Sequence, residues 1–115
     1  MKDARLYLCH ILECLEKISV FTEAGKEAFL ESILIQDAVY RNFEIIGEAA
    51  KRLPDETRRA IPDVPWRQVS GFRDVLIHQY DGVDPMQVWK VIESNLPTIR
   101  IAISNYLSGL DNNGH

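Results

Sequence analysis

Hydrophobic residues recur at three- and four-residue intervals along most of this chain, and few β-branched residues alternate with polar ones. Between residues 3 and 20, Leu8, Ile11, Leu12, Leu15 and Ile18 keep that spacing. It lines one face of a helix that looks onto a core. The stretch "FTEAGKEAF" then breaks the pattern, with Gly25 as the expected turn. A second helix is predicted over about residues 33–53. Ser32 is available as its N-cap, and Pro54 ends it, because the residue before a proline is pushed out of helical conformation. Ile35, Val39, Phe43, Ile46, Ala50 and Leu53 form the buried stripe of this helix. Asp37, Arg41, Glu44, Glu48 and Lys51 fall on the opposite face, where i,i+3 and i,i+4 ion pairs contribute roughly 0.2–0.5 kcal/mol each. Gly47 sits between the two faces, near Tyr40. A mid-helix glycine costs roughly 1 kcal/mol against alanine. A close approach by another helix would offset that cost, so Gly47 is expected to mark a helix contact.

Further along, "PDETRRAIPDVPW" predicts a short helix bracketed by prolines. The third main helix is expected from Trp66 to about Gln79, with Val69, Phe72 and Leu76 facing the core. "DGVDP" is a turn in which Asp84 caps the last helix and Pro85 takes its first position. That helix is expected to reach about Leu107, kinked near Pro97, where a backbone donor is missing. Four main helices with short segments between them predict an all-α antiparallel helical bundle. The expected organisation is one domain over residues 1–108 and a flexible tail over 109–115.

Composition narrows the class without naming a function. A chain of 115 residues can bury a core without metals or disulfides, and 46% hydrophobic with 26% charged residues is ordinary globular usage. No apolar run approaches the ~20 residues of a membrane span. The N-terminus, "MKDARLYLCHILECLEK", carries acids within its apolar pattern and lacks a small-residue cleavage site. A cytoplasmic protein with no membrane partner is the expectation. Cys9 and Cys14, the only cysteines, point about 140° apart on a helix, poorly placed for a disulfide or a shared metal. They read as buried reduced thiols. No metal site and no cofactor are predicted.

Charge changes the picture in one place. The formal net charge of −4 argues against a generic nucleic-acid coat. Yet residues 51–73 carry Lys51, Arg52, Arg58, Arg59, Arg67 and Arg73 against Asp55, Glu56 and Asp63, which is +3 locally and leaves −7 for the remainder. Such a segment can attract a polyanion or can simply be a solvated loop region.

The basic segment runs into "FRDVLIHQYDGVD", residues 72–84, which holds the candidate chemistry. On an ideal helix Arg73 and Tyr80 lie about 20° apart, flanking the core stripe, while Asp74 and His78 share the polar side with Ser70 and Gly71. Asp74 is within reach of His78, and a carboxylate beside an imidazole fixes its tautomer and raises its proton affinity. Arg73 and His78 diverge by about 140°. Either the guanidinium bends round the helix, or two subunits pack about a twofold axis so that both residue types line one cleft. In such a cleft arginine holds phosphate and histidine moves protons, the parts needed for attack of a ribose 2′-OH on the adjacent phosphate. A solvated helix face is the plain alternative. His10, on the first helix, reads as a structural or surface residue, and His115 is given no role.

"FRDVLIHQYDGVD", preceded by "PWRQVSG" and followed by "VWKVIESNLPTI", resembles the HepT-type ribonuclease toxins of the HEPN superfamily, as does "FEIIGEAAKRLP" on the second helix. The resemblance covers nearly the whole chain in the same order. It implies an all-helical homodimer with its active site where the subunits meet. It further implies metal-independent endoribonuclease activity on RNA, in a toxin–antitoxin system where a nucleotidyltransferase antitoxin neutralises the toxin. Arg73 and His78 match the catalytic pair, and Asp74 matches a supporting polar position that is often asparagine in relatives. Tyr80 matches the tyrosine that the partner modifies with AMP, which would set a bulky anion beside the site. A non-catalytic helical module that docks a nucleotidyltransferase through the Arg73–Tyr80 face is the competing expectation.

Overall fold

Capping residues and prolines set most of the helix ends in the computed structural model, which describes residues 4–113 apart from the side chains of Tyr80 and of residues 111–113. The order is α1 (Ala4–Phe21), α2 (Lys26–Glu31), α3 (Ile33–Arg52), α4 (Asp55–Ala60), α5 (Trp66–His78), a 3-10 turn (Tyr80–Gly82), α6 (Pro85–Ser94) and α7 (Leu96–Asn113). Among the described residues there is no strand, so the all-α expectation holds. Gly25 precedes α2 with φ 100°, a conformation that glycine reaches without a Cβ penalty. The Ser32 hydroxyl accepts from the Ile35 N–H at 3.1 Å and starts α3. Leu53, held extended before Pro54, ends it. Asp84 caps α6 by accepting from the Met86 N–H at 3.0 Å, with Pro85 in the first turn.

The long helix α3 lies at the centre and packs on α1 along one flank and on α5 along the other. Leu8, Ile11, Leu15 and Ile18 of α1 are buried, as are Val39, Phe43, Ile46, Ala50 and Leu53 of α3; Leu12 and Ile35 pack half-buried at the edge. α5 contributes the fully buried Leu76, and Phe72 meets Phe43 edge-on with ring centroids 5.1 Å apart. Such an aromatic pair adds about 0.5–1.5 kcal/mol beyond its burial. α7 returns to α1, where Arg100 and Glu16 pair at 2.8 Å on the surface.

The last helical stretch is interrupted near Pro97 as expected, where no N–H is available to the Glu93 carbonyl. α6 and α7 meet at Asn95, which keeps helical dihedrals, donates to the Val91 carbonyl at 2.9 Å and accepts from the Ile99 N–H at 3.0 Å. Two expectations are corrected. α7 then continues to Asn113, beyond Leu107 and through the first part of the expected tail. His115 lies outside the described residues. Finally, only Cys14 is buried. Cys9 is exposed, since one apolar stripe cannot take two positions so far apart around α1.

Candidate active site

The α3–α5 crossing places the candidate residues. At Gly47 the two backbones approach so closely that a Cβ there would overlap the Cβ of Arg73 and lie 3.1 and 3.2 Å from its Cδ and Cγ. The helix contact expected at Gly47 is therefore present, and the residue it admits is the candidate arginine. The arginine stem crosses α3 where only glycine leaves room.

From that crossing the Arg73 guanidinium is held at both ends. Its Nη2 meets Glu48 Oε2 at 2.9 Å, and its Nη1 donates to Asp74 Oδ1 at 3.4 Å. Glu48 also receives Arg52 at 3.1 Å, a contact that pushes the Arg52 pKa up, with a smaller contribution from Tyr7. Of the ion pairs expected along the polar face of α3, Arg41–Glu44 forms at 3.8 Å. Glu48 reaches both Arg52 on α3 and Arg73 on α5, and Lys51 turns to Asp74 on α5. Arg73 is three-quarters buried, so its position is set before any ligand arrives. Two of its five N–H donors are engaged in this way, and the others can still meet a phosphate.

Asp74 departs from its expected role. Its carboxylate accepts from Lys51 Nζ at 3.0 Å as well as from Arg73. Among the described residues no hydrogen bond joins it to His78. The Lys51 hydrogen bond is the main reason its pKa falls below the ordinary carboxylate value; the charges of Lys51, Arg73 and His78 add to it. The negative charge of Asp74 is answered by two cations. It fixes Arg73 and Lys51 rather than His78.

His78 is exposed and is the last residue of α5. The helix closes behind it with the Gln79 N–H donating to the Val75 carbonyl at 2.8 Å. The chain then enters the 3-10 turn, so Tyr80 does not continue the α5 face that carries Arg73. The single unbroken helix that the 20° separation assumed ends at His78. The Tyr80 side chain lies outside the described residues. The guanidinium does not bend toward His78 either. It faces a cleft of about 350 Å³ whose walls include Tyr7, His10, Arg41, Glu44 and Glu48. His10 is exposed on that cleft. The sequence reading missed Glu48, Lys51, Tyr7 and His10 as neighbours of the candidate residues. The only local signal was the row of charges on α3 opposite its apolar stripe.

Among the described residues no group of three or more His, Cys, Asp and Glu side chains is arranged to hold a metal ion, and no helix is long and apolar enough to cross a membrane. The family model described as "Ribonuclease HepT-like" matches residues 11–105. The chain belongs to the HepT-like ribonuclease family. A protein of Thermococcus cleftensis named "Probable ribonuclease HepT" is 43% identical over 95 residues, covering 82% of this chain and 86% of its own length. A Methanocaldococcus jannaschii protein named "Gamma-glutamylcyclotransferase and putative RNase" is 41% identical over 113 residues, covering 97% of this chain. This chain spans about half of that relative, 51% of its length. No solved structure matches the chain. The family membership agrees with the resemblance carried by "FRDVLIHQYDGVD".

Proposed function

We propose that this HepT-like chain is a metal-independent endoribonuclease that works as a homodimer, with Arg73 and His78 as its catalytic residues. The observation that carries the reading is their divergence on α5 within this family: Arg73 is pinned toward α3 by Glu48, and His78 stands exposed at the helix end. One chain does not aim both at a single phosphate, whereas a twofold pair of chains brings both kinds of group to a shared cleft. There the arginine holds the scissile phosphate and stabilises the charge that builds on it. One His78 accepts the 2′-OH proton as the 2′-oxygen bonds to phosphorus. The His78 of the second copy gives a proton to the 5′-oxygen as its bond to phosphorus breaks. Asp74 supports this arrangement by holding Arg73 and Lys51 in place.

Family membership supports the further reading of a toxin neutralised by a nucleotidyltransferase antitoxin. The antitoxin's chemistry would be transfer of AMP to Tyr80, with the phenol oxygen attacking the α-phosphate of ATP and pyrophosphate leaving. A bulky anion just past His78 would repel RNA. Such a pair would operate in the cytoplasm.

Purified protein is expected to cleave RNA in the presence of a chelator, and both Arg73→Ala and His78→Ala are expected to slow cleavage at least about 10²-fold. Intact RNA with the wild-type protein, or undiminished cleavage by His78→Ala, would overturn the reading. Inert wild-type protein that still binds a nucleotidyltransferase through Arg73 would favour the docking-module alternative. Intact mass after co-expression with the nucleotidyltransferase reports any AMP on Tyr80.

A further inference from the structure

A second, wider groove lies on the other side of Asp74, formed by the end of α3, α4 and the first turns of α5, with a volume of about 750 Å³. Its walls carry Lys51, Arg58, Arg59 and Arg67 against Asp55 and Asp74. Both acids are already answered within the protein. Asp55 pairs with Arg58, whose Nη1 also donates to the Ala50 carbonyl at 3.4 Å, and Asp74 pairs with Lys51 at 3.0 Å. Among the described residues Arg59 and Arg67 form no ion pair or side-chain hydrogen bond, and both are exposed. The groove thus holds positive charge that the fold itself does not use. Its shape is fixed by Trp66, whose indole N–H donates to the carbonyls of Arg58 and Ile61, both at 3.0 Å. That clasp ties the end of α4 to the start of α5.

A second observation comes from Gly71, on the wall of the same groove. A Cβ there would meet nothing within 4 Å, and the residue has no positive φ. Neither packing nor backbone conformation therefore accounts for a mid-helix glycine that costs roughly 1 kcal/mol. What the glycine leaves is bare backbone open to the groove, where a ligand can approach closely. On α5 the positions Arg67, Gly71, Asp74 and His78 fall within about 60° of one another around the helix axis. The stripe rises about 16 Å from Arg67 to His78, room for about five nucleotides at the ~3.4 Å spacing of a stacked strand.

We infer that this groove is the track for the phosphate backbone of single-stranded RNA, which runs along α5 from Arg59 and Arg67 toward His78. The inference rests on the ribonuclease reading above and adds where the RNA outside the scissile bond is held. Arg59 and Arg67 supply phosphate contacts, and Gly71 lets the strand lie against the helix. The unanswered charge favours a regularly charged strand over a protein partner.

The experiment is fluorescence anisotropy of a labelled, unstructured oligoribonucleotide on the full-length protein carrying His78→Ala, so that binding is read without turnover. Adding Arg59→Ala and Arg67→Ala is expected to weaken binding at least about fivefold. It should also flatten the dependence of log affinity on log salt by about 1.4, or about 0.7 for each phosphate no longer neutralised by an arginine. Arg100→Ala, on the far helix α7, serves as the control and is expected to leave both quantities unchanged. Unchanged affinity and slope in the double variant would overturn the groove, as would loss of binding to an acidic partner protein with RNA binding intact. The two proposals fail separately. Undiminished cleavage by His78→Ala would sink the catalytic reading while leaving the anisotropy result standing. A double variant that binds normally would sink the groove while leaving cleavage by His78 standing.

Discussion

Gly47 and Arg73 occupy the same small volume at the crossing of α3 and α5: a Cβ on the glycine would overlap the Cβ of the arginine. Tight packing between these helices and the placement of the candidate arginine are therefore one event. The arginine is positioned by the absence of a methyl group on the facing helix as much as by its ion pair with Glu48.

The two mid-helix glycines are expected to respond to alanine with opposite signs. Gly47→Ala gains roughly 1 kcal/mol of helix propensity but forces α5 away, and overpacking of this kind costs about 1–3 kcal/mol. A net loss of stability is expected, with a fall in RNA cleavage as Arg73 moves. Gly71→Ala meets open space and is expected to stabilise by about 0.5–1 kcal/mol. Urea unfolding of both variants checks the pair, and a stabilised Gly47→Ala protein would refute the account of the crossing.

Complementation tests whether the site is shared between copies. His78→Ala should lose about 10²–10⁴-fold in cleavage, the range for a missing general acid or base, and Arg73→Ala about 10²–10³-fold, the range for a lost charge-stabilising donor. When the two inactive proteins are mixed under conditions of subunit exchange, mixed dimers hold an intact arginine on one chain and an intact histidine on the other. Partial recovery is expected. A mixture that stays inactive while the wild type cleaves RNA would mean that one arginine and one histidine from different chains do not suffice.

The Lys51–Asp74 contact gives a pH prediction with a definite sign. The Asp74 pKa is lowered in the folded protein, first by its hydrogen bond from Lys51. A depressed carboxylate pKa contributes stability that is fully present above the unfolded value of about 3.9 and is lost as the pH falls through the lower folded value. Lys51→Ala should move the Asp74 titration back up, as read by carboxyl NMR. Because the pair is half-exposed, neutral-pH stability should change little. An unmoved titration would show that Lys51 does not hold this carboxylate in solution.

Thiol labelling separates the two cysteines. Cys9 is exposed, whereas Cys14 is buried and burial pushes its thiol pKa up, with nearby Glu13 adding and Lys17 opposing. A low thiolate population and poor access both slow modification. One adduct per native chain is expected by mass, and two after denaturation. Rapid double labelling of native protein would contradict the packing of α1.

Much of the fold is legible in the chain because its signals are local. The apolar spacing of α1 and α3, the Ser32 and Asp84 caps, the stop at Pro54 and the kink near Pro97 each depend on residues within a few positions of one another. The site was legible in residue type and less so in geometry. "FRDVLIHQYDGVD" supplied Arg73, Asp74 and His78, yet i,i+4 spacing suggested that Asp74 would pair with His78. Lys51, far along the chain, takes that carboxylate instead.

By itself, then, the sequence determined an all-helical chain, its main helices, their buried faces and the family motif, since helix formation and apolar periodicity are set by near neighbours. Only the tertiary structure decided which charged groups meet. It turned Arg73 toward Glu48 and Asp74 toward Lys51, left Arg59 and Arg67 unanswered in a groove, and ended α5 at His78. The reason is physical. Long charged side chains choose among partners by distance in space, and that distance is set here by how closely Gly47 lets α5 approach α3.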